Sequence, residues 1–286
     1  MRVWGIFVGV SIAASGAFGL GLAPATAQAV WETIPDPAPL SHADSSGIAK
    51  VNGIDIYYET HGKSGPWIIF LHGGLGSALA WGNQVPAFAA HNRVLLIESR
   101  GHGRSSWDGK PITYEAMASD VVGVMDQLGI AKADLVGWSD GAIIALIMGI
   151  DHSDHVNKIV SDAANTDPEG VDTSVFDKPP YSLPSDRDEK TYKTLSPTPD
   201  RWEAFSSAIN TMWADEPHIT DRLGKITVPV LVMAGDHDLI FPAHTKMIAD
   251  SIPGAKLVIV PDAAHFIVWQ QPEAFNKSVK AFLGVE

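Results

Sequence analysis

Short apolar runs alternate with amphipathic helical patterns along most of the chain. The runs are wholly or mainly apolar and cover residues 67–71, 94–97, 133–136, 156–160, 228–234 and 256–260. Continuous apolar runs of this length are typical of strands that are buried on both faces of a sheet. A helical pattern over residues 114–128 ends at Gly129, a usual C-cap residue, and another follows over 142–150. This alternation predicts an α/β fold with a mostly parallel central sheet and helices on both faces.

Two segments interrupt this rhythm. Residues 30–47 contain prolines and serines without hydrophobic periodicity, which predicts a flexible N-terminal tether before a domain over 48–286. Residues 163–222 are rich in proline and charge, and they are too few to form an independent core with ease. We therefore expect a helical cap insertion over the sheet. One helix of the cap is predicted to pack an apolar stripe against the body, through Trp202, Phe205, Ile209, Met212 and Trp213.

The domain begins with a hairpin signal. Residues 48–51 and 54–58 alternate between apolar and polar side chains, and Asn52-Gly53 lies between them. This dipeptide favours the tight turn that connects two antiparallel strands.

The first 29 residues have the composition of a secretory signal peptide. Arg2 precedes an uncharged stretch of small and apolar residues, and two overlapping Ala-x-Ala patterns allow cleavage after Ala27 or after Ala29. A retained membrane anchor is the alternative. No later stretch is apolar for the ~20 residues that a spanning helix needs. We therefore predict an exported protein, periplasmic or secreted, without stable membrane insertion once the leader is removed.

Composition excludes several classes of function. Of the 286 residues, 45% are hydrophobic and 19% are charged, which is typical of one large globular domain. The net charge of −13 disfavours nucleic acid and anionic membranes as partners. Because the chain has no cysteine, it has no disulfide, no thiol nucleophile and no thiolate metal ligand. His152 and His155 share a polar turn without further ligands, so we predict no metal site and no cofactor.

The segment Gly137-Trp138-Ser139-Asp140-Gly141 is the strongest chemical signal. It joins an apolar strand to a helical pattern, as the Gly-x-Ser-x-Gly turn of a nucleophile elbow does. The two glycines remove side chains where strand and helix would collide, and Ser139 is left exposed. Ser139 is therefore the predicted nucleophile.

A serine hydroxyl reacts only when a base takes its proton and an acid orients that base. His265 follows the last predicted strand and fits the base better than the other histidines do. Asp236 and Asp238 both follow the preceding strand, and Asp162 ends an earlier one. The order serine, acid, histidine is the one found in α/β hydrolases.

Five ordered motifs together resemble the α/β-hydrolase superfamily over about residues 48–286. They are His72-Gly73-Gly74, the segment Arg100-Gly101-His102-Gly103-Arg104-Ser105, the serine elbow, Gly235-Asp236-His237-Asp238, and Ala264-His265-Phe266. The resemblance implies the α/β-hydrolase fold and places the acid at Asp238, three residues after the strand glycine. Asp162 remains a minor candidate. Glu98 departs from the family pattern, which commonly has aspartate there.

The resemblance also implies an oxyanion hole. One backbone N–H comes from Asp140, where the helix dipole adds to its effect, and the other comes from Gly74, with Leu75 as the alternative. Gly-Trp-Ser-Asp-Gly with Ala164-Asn165 is similar to the valacyclovir-hydrolase-like esterases. In that subgroup the residue matching Asp140 is associated with a substrate amine, although a carboxylate is favourable at any helix N-terminus. Trp138 and Leu75 are further candidate substrate contacts.

We therefore predict a serine hydrolase whose substrate is a small carboxylic ester, a lactone or an aminoacyl ester. Perhydrolase and carbon–carbon bond hydrolase chemistry use the same triad and remain alternatives. A ligand-binding protein without catalysis is the alternative from another functional class, because fold alone does not determine function.

Overall fold

The computed structural model describes residues 28–183 and 185–285. The predicted leader lies almost wholly outside these residues. Eight strands form one sheet in the order β1-β2-β4-β3-β5-β6-β7-β8. They are β1 (Ser45–Val51), β2 (Ile54–His61), β3 (Trp67–Leu71), β4 (Arg93–Ile97), β5 (Ala133–Trp138), β6 (Val156–Asp162), β7 (Val230–Gly235) and β8 (Lys256–Val260).

The sheet is parallel from β3 to β8 and antiparallel at its first two strands. Asn52 and Gly53 make the turn of the predicted β1–β2 hairpin, with φ of 50° and 79°. Positive φ at both positions suits the right-handed twist of the two strands. The predicted α/β class with a mostly parallel sheet is confirmed.

Helices cover both faces of the sheet because each buried strand points alternate side chains to opposite sides. In β3, Ile69 and Leu71 join a core on one face, and Ile68 and Phe70 join a core on the other. The first core includes α2 (Tyr114–Leu128), α3 (Asp140–Asp151) and α6 (Pro242–Ser251). The second includes α1 (Val85–Phe88), α7 (Ile267–Gln270) and α8 (Pro272–Leu283).

The chain between β6 and β7 is a helical insertion. It contains α4 (Arg187–Leu195), α5 (Trp202–Asp215) and several short 3-10 turns. Phe205, Ile209 and Met212 of α5 are buried and belong to the same core as α2 and α3. The insertion therefore shares the core of the body, and the apolar stripe packs as the sequence predicts. Trp213, the last member of the stripe, is 37% exposed.

The N-terminal segment differs from the expected tether. Residues 45–47 already belong to β1, where they pair with β2. Residues 30–40 lie against the domain: Leu40 packs on a core cluster, and Trp31 stacks on His237 with ring centroids 4.0 Å apart. Prolines remove hydrophobic periodicity here, but they suit an extended segment whose contacts come from distant parts of the chain. Within the described residues, no helix has the length and apolarity of a membrane span.

Candidate active site

Ser139 lies in a strained turn between β5 and α3, with φ of 55° and ψ of −122°. A Cβ at Gly137 would overlap the Gly141 carbonyl, and one at Gly141 would overlap the Leu71 carbonyl. The glycines therefore allow β5, α3 and β3 to approach at backbone distance. This turn holds the hydroxyl at the carboxyl end of the sheet, where ligands bind in such folds.

The structure brings Ser139, His265 and Asp238 together. The Ser139 hydroxyl lies 2.9 Å from Nε2 of His265, and Nδ1 of the same ring lies 2.9 Å from Oδ1 of Asp238. The Asp238 side chain is 1% exposed and that of His265 is 10% exposed. In this arrangement Nδ1–H donates to the carboxylate, so Nε2 is free to accept the serine proton.

The other aspartate of the β7 loop has a structural contact. Asp236 Oδ1 accepts a hydrogen bond from the backbone N–H of Ala263 at 3.2 Å, and its side chain is 40% exposed. It therefore supports the loop that carries His265.

Asp162 is fully buried at the end of β6 and does not contact His265. Neither of its carboxyl oxygens has a hydrogen-bond partner among the described residues, and Oδ2 of Asp238 also lacks one. Burial, together with the nearby Asp238 charge, raises the pKa of Asp162 well above its usual value. Burial at this position therefore favours the protonated form of Asp162.

The loop after β3 packs directly against the nucleophile. A Cβ at Gly73 would lie 3.2 Å from Cβ of Ser139, and one at Gly74 would collide with the Trp213 ring and the Asp140 carboxylate. Neither Gly74 nor Leu75 uses its N–H in a hydrogen bond within the described chain. Leu75 has φ of 59° and packs against the core, so its side chain is not on the cavity wall.

His72 fixes this loop through both of its ring nitrogens. Its Nε2 accepts the backbone N–H of Ser99 at 3.1 Å, and Nδ1 lies 2.7 Å from the Gly73 carbonyl. Burial lowers the pKa of His72 to about 4, so the ring is neutral and can accept at one nitrogen while it donates at the other.

The Asp140 carboxylate has neutral donors of its own. Oδ1 accepts from the Tyr114 hydroxyl at 2.8 Å, and the Trp213 indole N–H lies 3.0 and 3.1 Å from the two oxygens. Burial raises the pKa of Asp140 to about 6, while the Trp213 and Tyr114 hydrogen bonds oppose this rise. Because Trp213 belongs to α5, Asp140 links the elbow to the cap. The sequence offers no local signal for this contact.

The loop that carries His265, called the histidine loop, is held by three side chains whose role the sequence did not indicate. Trp138 donates its indole N–H to the His265 carbonyl at 2.6 Å. The Tyr181 hydroxyl accepts the His265 N–H at 3.3 Å, and Gln270 Oε1 accepts the Ala264 N–H at 2.8 Å. Trp138 was expected only as a substrate contact, and Tyr181 lies in the proline-rich insertion, where no pattern marks it.

Glu98, which departs from the family pattern, is fully buried, and both of its carboxylate oxygens accept hydrogen bonds. Its oxygens accept from the Arg104 side chain at 2.7 Å and from the Arg104 and Ala78 backbone N–H groups at 2.5 and 3.2 Å. Arg100 forms a two-pronged contact with Asp120, each bond 2.7 Å long. Both arginines therefore organise loops beside the site, as the sequence indicates.

A cavity of about 650 Å³ opens beside the nucleophile, passing Gly74 and Trp138. Its wall is mainly aromatic and apolar, with Phe176, Phe266 and Trp269 among the lining residues. A volume in this range suits a small organic molecule.

A family model described as the alpha/beta hydrolase family matches residues 68–278. The chain is 30% identical over 263 residues to the putative carbamate hydrolase RutD of Caulobacter sp. (strain K31), covering 81% of this chain and 96% of that protein. It is 26% identical over 258 residues to serine hydrolase BPHL of Homo sapiens, covering 84% and 86%.

A solved structure of known activity superposes on this chain. The enol-lactonase from Burkholderia xenovorans LB400 superposes with a TM-score of 0.69 at 26% identity, covering 83% of this chain and all of that one.

The raised pKa of Asp162 leads to a stability prediction. Its folded pKa lies above the unfolded value of ~3.9, so folding takes up a proton, and the folded state loses stability as pH rises above that value. Asp162→Asn removes this loss. We expect the variant to gain stability relative to wild type as pH rises above ~3.9, by up to about 1.4 kcal/mol per pH unit. Urea unfolding at several pH values measures the difference.

The matched control is Asp154→Asn, at a carboxylate that is 83% exposed and solvated in both states. Its stability relative to wild type should stay constant over the same range. A constant difference for Asp162→Asn as well would mean that Asp162 is ionised in the fold.

Proposed function

The chain belongs to the alpha/beta hydrolase family, and from this premise we propose that it is a serine hydrolase that cleaves carboxylic esters, lactones included, through an acyl-enzyme on Ser139. Family membership confirms the resemblance drawn from the motifs, and the likeness to serine hydrolase BPHL supports the subgroup. One observation carries the proposal: His265 contacts both Ser139 and Asp238 at 2.9 Å.

In the proposed first step the Ser139 oxygen attacks the ester carbonyl while Nε2 of His265 takes the hydroxyl proton. Asp238 keeps the ring in the required tautomer and stabilises the imidazolium. The N–H groups of Asp140 and Gly74 would stabilise the oxygen that becomes negative. When the carbon–oxygen bond to the alcohol breaks, His265 returns the proton to the leaving oxygen.

In the second step water attacks the acyl carbonyl, and His265 accepts one water proton. The carbon–oxygen bond to Ser139 then breaks, and the serine oxygen regains a proton from the imidazolium. The carboxylic acid leaves and the enzyme returns to its starting state. In a lactone the alcohol and the acid remain in one molecule, so the same steps open the ring.

The cavity favours a small and mainly apolar substrate, since apolar side chains that include Phe176, Phe266 and Trp269 form much of its wall. The solved relative that is an enol-lactonase supports lactones as one substrate class. The relative described as a putative carbamate hydrolase indicates that carbamates belong in the first substrate panel. Perhydrolase activity would use the same acyl-enzyme, with hydrogen peroxide in place of water.

We also propose that the protein is exported. The support is the composition of the first 29 residues, with Arg2 before an uncharged stretch and two alanine cleavage patterns. The absence of cysteine is compatible with an oxidising compartment, since no thiol is available to mispair.

Covalent labelling tests the nucleophile. An organophosphonate ester is expected to add one phosphonyl group to the wild-type protein, and peptide mapping should place it on Ser139. Ser139→Ala should lose the adduct and more than about four orders of magnitude of ester hydrolysis. Ser278→Ala is the control, because that hydroxyl bonds only within α8, to the Ala274 carbonyl at 2.9 Å. Wild type without an adduct or hydrolysis would favour a ligand-binding protein.

The contacts of Asp140 predict a lack of preference for amines. Because Tyr114 and Trp213 already donate hydrogen bonds to the Asp140 carboxylate, this group adds little to the binding of a substrate amine. We expect the ethyl ester of phenylalanine and that of dihydrocinnamic acid, which lacks only the amine, to have kcat/KM values close to each other. Strong preference for the amine, lost in Asp140→Asn, would instead support the amine-binding role.

Export predicts a shortened mature chain. Intact mass of protein recovered outside the cytoplasm should correspond to a first residue of Gln28 or Val30. Ala27 belongs to both cleavage patterns, so Ala27→Leu is expected to block processing at each. Recovery of an uncleaved wild-type chain in the membrane fraction would support the anchor alternative.

A further inference from the structure

Residues 30–40, which we call the strap, lie against the domain beside the cavity and contribute Ile34 to its wall. The strap precedes β1 and lies outside residues 68–278, which match the family model. One of its side chains, Ile34, lines the cavity together with Trp138, Phe266 and Trp269. The site of this chain thus includes a wall element that the matched family region does not supply.

The strap is bonded to the loop of the catalytic histidine. Gln270 Nε2 donates to the carbonyls of Trp31 and Thr33, at 3.1 and 2.6 Å. The other end of the same amide accepts the N–H of Ala264, next to His265. One buried side chain therefore ties the strap to the histidine loop.

The strap also touches the loop of the acid. The Trp31 ring stacks on His237, with an interplanar angle of 11°, and His237 precedes Asp238. These contacts and those of Gln270 hold the strap at Trp31 and at Thr33, the residue directly before Ile34.

The cap holds the strap from the other side. The Arg187 guanidinium, at the start of α4, donates to the carbonyls of Ile34 and Pro35, each at 3.2 Å, and to Asp36 at 2.8 Å. The same group lies over the Trp269 ring, 4.9 Å from its centroid. Planar stacking with several donors is the arrangement to which arginine is suited.

The far end of the strap is packed on the body. The Ala38 carbonyl occupies the space where a Cβ at Gly82 would be, and the Ala38 N–H donates to the Asn83 side chain at 3.4 Å. Leader cleavage after Ala27 or after Ala29 leaves every one of these contacts in the mature chain.

We propose that Ile34 is a specificity-determining residue and that the strap is part of the substrate site, where it limits the length of the apolar group that the cavity accepts. The inference rests on the proposed function, since it concerns the substrate of the same serine. An apolar wall residue selects by volume, and one methylene in such a pocket changes kcat/KM by about 10-fold or more.

The test compares p-nitrophenyl esters from acetate to laurate on the full mature chain. Ile34→Trp adds bulk to the wall, so the ratio of kcat/KM for laurate to that for acetate should fall about 10-fold. Ile34→Ala removes bulk and should move the preferred acyl chain to a longer one. Ile48→Trp is the matched control, since Ile48 is 43% exposed on β1 and does not line the cavity; it should keep the wild-type ratio.

A binding measurement separates this inference from the proposed function. Calorimetry of laurate with Ser139→Ala requires no turnover, and adding Ile34→Trp should weaken binding about 10-fold. Weaker binding together with an inactive wild type would overturn ester hydrolysis but retain the strap as a wall of the site. Active Ile34 variants with the wild-type chain-length ratio and unchanged laurate binding would overturn the inference.

A variant of Arg187, which holds the strap to α4, tests the inference through a second measurement. Arg187→Met removes the donors to Ile34 and Pro35. Because Arg187 also lines the cavity, proteolysis of the strap is the measurement that reports on the lost donors alone. We expect limited proteolysis within residues 30–40 to become faster than in wild type and the chain-length preference to broaden. Asp36→Ala removes only the exposed ion-pair partner, whose contribution is small, so cleavage should stay at the wild-type rate. Unchanged proteolysis and preference in Arg187→Met would contradict the role of the strap.

Discussion

Two hydrogen bonds to one imidazole ring are the contacts on which the site depends. His265 follows β8, Asp238 follows β7 and Ser139 follows β5, so the three groups are brought together only by a parallel sheet whose strands end at one edge. A slip of one residue in any of these strands would turn its side chains to the other face. The close backbone contacts of Gly137 and Gly141 hold the register at the serine, where the geometry is most strained.

Three buried carboxyl groups surround this site, and each is accommodated in a different way. Glu98 is paired with Arg104, and Asp140 accepts from the neutral Tyr114 and Trp213. Neither oxygen of the Asp162 side chain has a partner in the described chain, and burial raises the pKa of Asp162 well above its usual value. Burying a charge is costly without compensation. The donors at Glu98 and Asp140 lower the pKa of each carboxyl against the rise that burial causes.

The cover of the site comes from segments outside the sheet. Trp213 and Arg187 extend from the cap, Ile34 comes from the strap, and Gln270 connects the strap to the histidine loop. Under the proposed function this division separates chemistry from selectivity: the sheet edge would place the reacting groups, and the cover would shape the volume beside them. Loops and insertions change more freely than core strands, which is why one scaffold supports many substrates.

The sequence by itself was enough for the α/β class, the serine elbow, and the order of acid and base, because these features rest on local rules. Apolar runs predict buried strands, and glycines mark close backbone approach. Only the tertiary structure decided that residues 30–40 are a docked strap, that Asp140 bonds Tyr114 and Trp213, and that Tyr181 and Gln270 hold the histidine loop. These contacts join residues far apart along the chain. No periodicity links such partners, since their meeting depends on how the whole fold packs.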